Sequence, residues 1–307
     1  MTARAVPMRV ALALVAAIGA VAAAAARPAT AEEGERRAVL VSVTDERGSP
    51  VTGLTATSFF AESHGRPITI VSATPDRASR RVGVLVDTSG SQAISSPWKA
   101  VEELVEALVP ANRVALLTLD ITLRVHSELT SDAAELRDAI RGARTLRAEG
   151  PSALYAGARL ASRGFGEPAL GDTLCFFTDG EDTASTSDLR EMVTAIARRG
   201  VRVFVVRTAE GRPRFARDGI RDESTRWIAA MTKATGGGDL SLDQVLKDGG
   251  VHALATRIEE GYRLDLLIPK SVGDSADWRL QVVGQDGKKL PKVRVTYPEI
   301  LPAPASR

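Results

Sequence analysis

The chain has 307 residues, of which 44% are hydrophobic and 25% are charged, a composition typical of globular proteins and not of fibrous or largely disordered ones. Its formal charge of +2 depends on the first 31 residues, because the remaining residues include 37 basic and 38 acidic side chains. Without those residues the net charge gives no indication of a nucleic-acid partner, and we expect none. The single cysteine excludes an intrachain disulfide framework and any CxxC metal or redox site.

Residues 1–31 have the three parts of a secretory signal peptide. Arg4 and Arg9 provide a positive start, residues 10–26 form a run of apolar and small side chains, and residues 29–31 (Ala-Thr-Ala) offer a small-x-small cleavage site. A membrane anchor is the alternative, but 17 mostly alanine residues fall short of the roughly 20 that span a bilayer. We therefore expect an exported protein, periplasmic or extracellular, with no membrane span in its mature chain.

The two flanks of the remaining chain are predicted to be β-rich. After a charged leader at residues 32–37, strand patterns and turn residues indicate an N-terminal β segment at 38–76 and a C-terminal β segment at 261–300. Since each segment alone has few strands with which to bury a face, we predict that the two segments pair into one smaller β domain.

Residues 80–260 alternate strand and helix patterns. Continuous apolar runs, typical of strands buried on both faces, are separated by amphipathic helical segments. This order predicts a doubly wound, Rossmann-like α/β domain with a mostly parallel sheet. Near its end, the triple glycine at residues 236–238 is interpreted as a helix C-cap followed by a loop.

Oxygen-bearing side chains follow three of these segments. The strand predicted at residues 82–86 runs into a D-x-S-x-S sequence, the strand at 173–178 runs into Asp-Gly, and a serine precedes the helix predicted at 153–163. Ligands of open α/β sheets bind outside the carboxyl ends of the strands. Hydroxyl and carboxylate oxygens suit a hard cation, which points to Mg2+, with Mn2+ as a substitute. The five candidate metal ligands are Asp87, Ser89, Ser91, Ser152 and Asp179.

These segments resemble the metal-ion-dependent adhesion site of von Willebrand factor type A domains, and the likeness extends over the whole α/β segment. The resemblance implies that Ser89 and Ser91 bind the metal directly, while Asp87 and Asp179 act mainly through bound water. Ser152 lies in Gly-Pro-Ser-Ala-Leu-Tyr, which is similar to the family's usual Gly-Gly-Thr-Ala-Leu-Tyr. The flanks further resemble a bacterial exported subfamily that is described only as von Willebrand factor A-related.

The resemblance implies a protein-binding, adhesion-type module and not an enzyme. With neutral hydroxyls as direct ligands, the charge of the ion is only partly quenched, and an open coordination position accepts an Asp or Glu carboxylate of a partner protein. Two alternatives stay open: a Mg2+-dependent hydrolase acting at the same edge, and a scaffold protein with a vestigial metal site.

Two charged segments lie beside the predicted site. Arg212, Arg214 and Arg217 belong to an arginine-rich stretch that follows a predicted strand. This stretch is either a solvated loop of mixed charge or a contact for an acidic partner. Glu181 and Asp182 are interpreted as loop acids, because no neighbouring nucleophile or oxyanion donor accompanies them.

Overall fold

The computed structural model describes residues 34–94, 96–147, 149–186, 188–208, 218–272 and 277–304. The predicted signal peptide and the three arginines Arg212, Arg214 and Arg217 lie outside these residues. The strands are β1 (Gly34–Asp45), β2 (Phe59–Ser63), β3 (Arg66–Asp76), β4 (Arg81–Asp87), β5 (Arg113–Leu119), β6 (Leu123–Thr130), β7 (Thr173–Thr178), β8 (Arg202–Arg207), β9 (Gly238–Ser241), β10 (Gly261–Pro269), β11 (Trp278–Val282) and β12 (Val293–Thr296). The helices are α1 (Trp98–Leu108), α2 (Ala133–Ala143), α3 (Leu154–Gly164), α4 (Leu189–Arg198), α5 (Asp218–Thr235), α6 (Leu242–Leu246) and α7 (Gly250–Glu259).

The flanks of the chain form one antiparallel sheet with the strand order β11-β2-β3-β10-β1-β12. Its central pairing is between β1 and β10, which come from opposite ends of the sequence. The prediction that the two flanks pair with each other is therefore confirmed. The predicted solvated leader at residues 32–37 is wrong from Gly34 onward, because the backbone there pairs with β10, beginning at Gly34 opposite Pro269.

The intervening segment forms a second sheet with the order β6-β5-β4-β7-β8-β9. All neighbours in this sheet are parallel except β6, which returns from β5 as an antiparallel hairpin. Helices pack on both faces of the sheet, with α3, α4 and α5 on one face and α1, α2 and α7 on the other. The doubly wound, mostly parallel α/β fold is confirmed.

The interpretation of the triple glycine as a loop is only partly correct, because its last residue begins β9. Gly238 pairs with Phe204 of β8, so the chain re-enters the sheet at once. A Cβ on Gly237 would lie 1.8 Å from the carbonyl oxygen of Val203, a separation that excludes any side chain there. The close approach of two backbones explains the glycine in a way that capping alone does not.

The two central strands position the candidate site. Strands β4 and β7 are adjacent and parallel, so Asp87 and Asp179 follow them at the same edge of the sheet. The apolar side chains of both strands are fully buried, which makes this edge a rigid platform. Among the described residues, none of the helices combines the length and the apolar character needed to cross a bilayer.

Candidate functional site

Asp87 is the last residue of β4 and is only 2% exposed. Its Oδ2 accepts a hydrogen bond from Thr178 Oγ1 at 2.7 Å, and its Oδ1 accepts one from the backbone N–H of Ser89 at 2.9 Å. Burial raises the pKa of Asp87 to about 6, and the negative charge of Asp179 also raises it, while the hydrogen bonds from Thr178 and Ser89 lower it. The fold thus holds a carboxylate that is only partly compensated.

Ser89 and Ser91 follow on the same loop, which continues as a short 3-10 helix, Gly90–Ile94. Their Oγ atoms are 3.1 Å apart, with Ser89 buried and Ser91 exposed. The hydrogen bond from Gln92 N to Ser89 O closes this turn at 3.0 Å. The two hydroxyls therefore lie together, one within the protein and one at its surface.

Hydrogen bonds attach a second loop to the first. The N–H of Gly90 donates to Gly150 O at 2.9 Å, and the N–H of Glu149 donates to Thr88 O at 3.1 Å. Ser152, two residues farther on, is 2% exposed. Its Oγ is buried and has no hydrogen-bond partner among the described residues. A buried hydroxyl without a partner is rare in folded proteins.

The third loop follows β7 and is tied to the second. Thr183 Oγ1 accepts a hydrogen bond from Ser152 N at 2.9 Å, and the N–H of Thr183 donates to Ser152 O. Asp179 is half-buried, and its Oδ1 accepts from Glu181 N at 3.0 Å. Burial and the charge of Asp179 both raise the pKa of Glu181, whose buried Oε1 has no hydrogen-bond partner among the described residues.

Asp182 has a structural task in this third loop. Its Oδ2 accepts a hydrogen bond from Tyr155 N at 2.7 Å, at the first turn of α3, and its Oδ1 accepts from Ser185 N at 2.8 Å. Both carboxylate oxygens are thus engaged with backbone amides. This arrangement holds the start of α3 beside Ser152 and agrees with the interpretation of Asp182 as a loop acid.

The five candidate ligands thus come from three loops that hydrogen bonds join at one edge of the sheet. Two carboxylates and three hydroxyls supply oxygen donors only. Within the described part of the chain, no three His, Cys, Asp or Glu side chains form a group that could hold a metal ion. Any cation at this edge would therefore depend on the serine hydroxyls.

Sequence reasoning missed the residues that support this arrangement. Thr178 and Thr183 bond to two of the candidate loops, and Thr208, which follows β8, donates from Oγ1 to Gln92 Oε1 at 2.6 Å. Gln92 and Thr208 are both buried. A threonine at the end of a strand is the one sequence signal for such a supporting residue, and it does not show to which distant loop the hydroxyl bonds.

The model of a family described as "VWA domain containing CoxE-like protein" matches residues 23–235. A search among curated proteins gave no match for this chain.

Three solved structures are similar to this chain at low sequence identity. The conserved hypothetical protein BatB from Bacteroides thetaiotaomicron is 17% identical, with a TM-score of 0.45 over 59% of this chain and 97% of that one. An aerotolerance-related membrane protein from Bacteroides fragilis is 18% identical, with a TM-score of 0.46 over 59% and 98%. The SpRpn10 VWA domain is 15% identical, with a TM-score of 0.36 over 53% and 88%.

Proposed function

Because the chain belongs to the family of VWA domain containing CoxE-like proteins, we propose that it is an exported protein-interaction module that binds its partner through Mg2+ at the shared edge of β4 and β7. Membership in this family suggests a protein-interaction role. What we propose beyond that role is that the protein is exported, that it binds Mg2+, and that its partner is a protein that offers a carboxylate. The signal-peptide pattern of residues 1–31 supports export.

The residues that would hold the ion are Asp87, Ser89, Ser91, Ser152 and Asp179. Bound there, Mg2+, or Mn2+ in its place, supplies an incompletely neutralised charge with room for one more oxygen ligand. The exposed hydroxyl of Ser91 marks the side from which such a ligand would approach. The partner would be a protein that offers the carboxylate of an Asp or Glu side chain.

The observation that carries the proposal is the Oγ of Ser152, which is buried and has no hydrogen-bond partner among the residues that the structure describes. Leaving a buried polar group without a hydrogen bond costs about 1–3 kcal/mol, and this atom lies on a loop bonded to the one that holds Asp87. Asp87 is itself a buried carboxylate whose pKa is raised to about 6. A hard cation would satisfy the hydroxyl oxygen and neutralise the carboxylate together, so the donor set fits Mg2+.

We propose binding without turnover. Hydrolysis at this edge would require a general base that is free to accept a proton. Both oxygens of Asp182 already accept hydrogen bonds from backbone amides, so Glu181, whose Oε1 has no hydrogen-bond partner among the described residues, is the acid that the hydrolase alternative would need. The remaining donors are suited to hold an ion and leave one face of it accessible.

Metal binding is tested by thermal unfolding with Mg2+ and with EDTA. Mg2+ at about 100 times its Kd should stabilise the wild type by about 2.7 kcal/mol. Ser152→Ala should abolish this gain and leave stability in EDTA unchanged or slightly higher. Ser162→Ala is the matched control, since Ser162 is equally buried but lies in α3 away from the loops. Equal Mg2+ stabilisation of the wild type and Ser152→Ala would contradict the proposed ligand set.

Partner binding is tested by affinity capture from cell-envelope extract, with Mg2+ and with EDTA. The double variant Ser89→Ala plus Ser91→Ala should fail to capture the partner protein that the wild type captures in Mg2+. A partner that is retained equally in EDTA would show that recognition does not use the metal.

A further inference from the structure

A second site lies where α7 packs against the flank-derived sheet. A cavity of about 380 Å3 opens there between α7, β1, β10 and the loop after β1. This volume falls within the range of about 300–1,000 Å3 that is usual for small-molecule sites. None of its lining residues belongs to the candidate metal site. We call this cavity the junction pocket.

The body of the junction pocket is apolar. Val43, Pro50, Val51 and Pro75 line it together with the side chain of Tyr262. The Tyr262 hydroxyl donates to Val51 O at 3.1 Å and accepts from Leu54 N at 3.2 Å. Since these internal bonds engage the hydroxyl, Tyr262 offers a ligand only its ring.

Three other polar residues of the lining are engaged within the protein. Arg77 forms an ion pair with Glu260 at 3.1 Å. Ser42 Oγ accepts a hydrogen bond from Arg202 at 3.1 Å. These contacts engage Arg77, Glu260 and Ser42 within the protein, while Thr44, Thr52 and Thr256 add hydroxyl groups to the lining.

Arg257 is different, because no carboxylate in the described part of the chain forms an ion pair with its positive charge. No hydrogen bond or ion pair joins its guanidinium to any residue that the structure describes. Asp239, whose charge favours protonated Arg257, forms its ion pair with Arg207 at 3.3 Å. The Arg257 guanidinium lies over the ring of Phe204, 5.8 Å from its centroid, a contact that offsets only part of the cost of burying a cation. Burial accordingly lowers the pKa of Arg257. His252, which is exposed, also lines the pocket.

We propose that the junction pocket binds a small organic carboxylate with an apolar body. The body would pack against Val43, Val51 and the ring of Tyr262, and the carboxylate would reach Arg257. A charge-assisted hydrogen bond to a guanidinium is the strong, directional contact that fixes such an anion. A neutral apolar molecule would give the cation no counter-ion, and a bare inorganic anion would leave the apolar walls uncovered.

The test uses the full chain and two matched probes, 2-naphthoate and its neutral amide 2-naphthamide, in isothermal titration calorimetry. We expect 2-naphthoate to bind saturably at one site and at least about 10-fold more tightly than the amide, because only the acid compensates the charge of Arg257. The absence of saturable binding, or equal affinity for the two probes, would overturn the proposal.

Three variants locate the binding. Ala253→Trp should weaken 2-naphthoate at least about 10-fold by filling the pocket, whereas Ala229→Trp, at an exposed alanine of α5, should not. Arg257→Gln should remove the preference for the acid, and Arg257→Lys, which keeps the charge, should retain part of it. Ala253 is exposed, so tryptophan there leaves the core intact, and unchanged melting temperatures verify this. Undiminished binding by Ala253→Trp, or an acid preference that survives in Arg257→Gln, would refute the assignment.

Discussion

The hydrogen bond between Thr208 and Gln92 offers a direct test of how the candidate loops are held. Gln92 immediately follows Ser91, and Thr208 directly follows β8, so this one bond fastens the D-x-S-x-S loop to the end of β8, which lies two strands away from β4 in the sheet. The two atoms are 2.6 Å apart and both side chains are buried, with Gln92 4% and Thr208 6% exposed. Thr208→Val removes the donor while keeping the shape of the side chain.

The expected loss of stability follows from the polar atoms of Gln92 that stay buried in Thr208→Val. Gln92 Nε2 already lacks a hydrogen-bond partner among the described residues, so Thr208→Val leaves both polar atoms of the amide unsatisfied. We expect the free energy of unfolding to fall by about 1–3 kcal/mol. Gln92→Leu removes the amide altogether, and in that background Thr208→Val should cost much less, which gives a coupling energy of about 1 kcal/mol or more.

The assay is urea unfolding of the wild type, the two single variants and the double variant, each in EDTA so that metal binding does not contribute. Mg2+ titration of the same four proteins then reports whether the loosened loop loses affinity for the ion. Effects of the two substitutions that add within about 0.3 kcal/mol would refute the coupling.

Three further predictions concern charge, backbone and reactivity. In EDTA, the raised pKa of Asp87 should make the free energy of unfolding fall by about 3 kcal/mol as the pH rises from 3.8 through about 6, since the folded state retains a proton that the unfolded state has lost. Asp87→Asn should flatten this slope in unfolding curves measured across that range, and an unchanged slope would assign it to another group. Gly237→Ala should destabilise the protein by more than about 3 kcal/mol, because its Cβ would meet the Val203 carbonyl; a melting temperature like that of the wild type would disprove this contact. Cys175, fully buried with its pKa raised to about 12, should react with a thiol reagent only after denaturant is added, and rapid labelling of the native protein would contradict its burial.

The pattern of residues predicted the strands around the site accurately, because burial on both faces leaves a clear signature. The continuous apolar runs that become β4 and β7 end within a residue of their observed termini. Strand β9 has no such run, since its sequence is Gly-Asp-Leu-Ser and its pairing depends on a close backbone approach. The charged start of β1 resembles a solvated leader because its partner, β10, lies far away in the sequence and leaves no local signal.

Local sequence thus determined the α/β order, the position of each candidate oxygen donor and its place after a strand or before a helix. These properties depend on neighbours within a few residues, through periodicity and turn chemistry. Only the tertiary structure decided that Thr208 bonds to Gln92, and that, among the residues it describes, Ser152 Oγ is buried without a partner and Arg257 borders a cavity without a counter-ion. Each of these depends on groups more than 100 residues apart, or on the absence of a partner after packing, and the free energy of a polar group is set by what surrounds it in the folded chain.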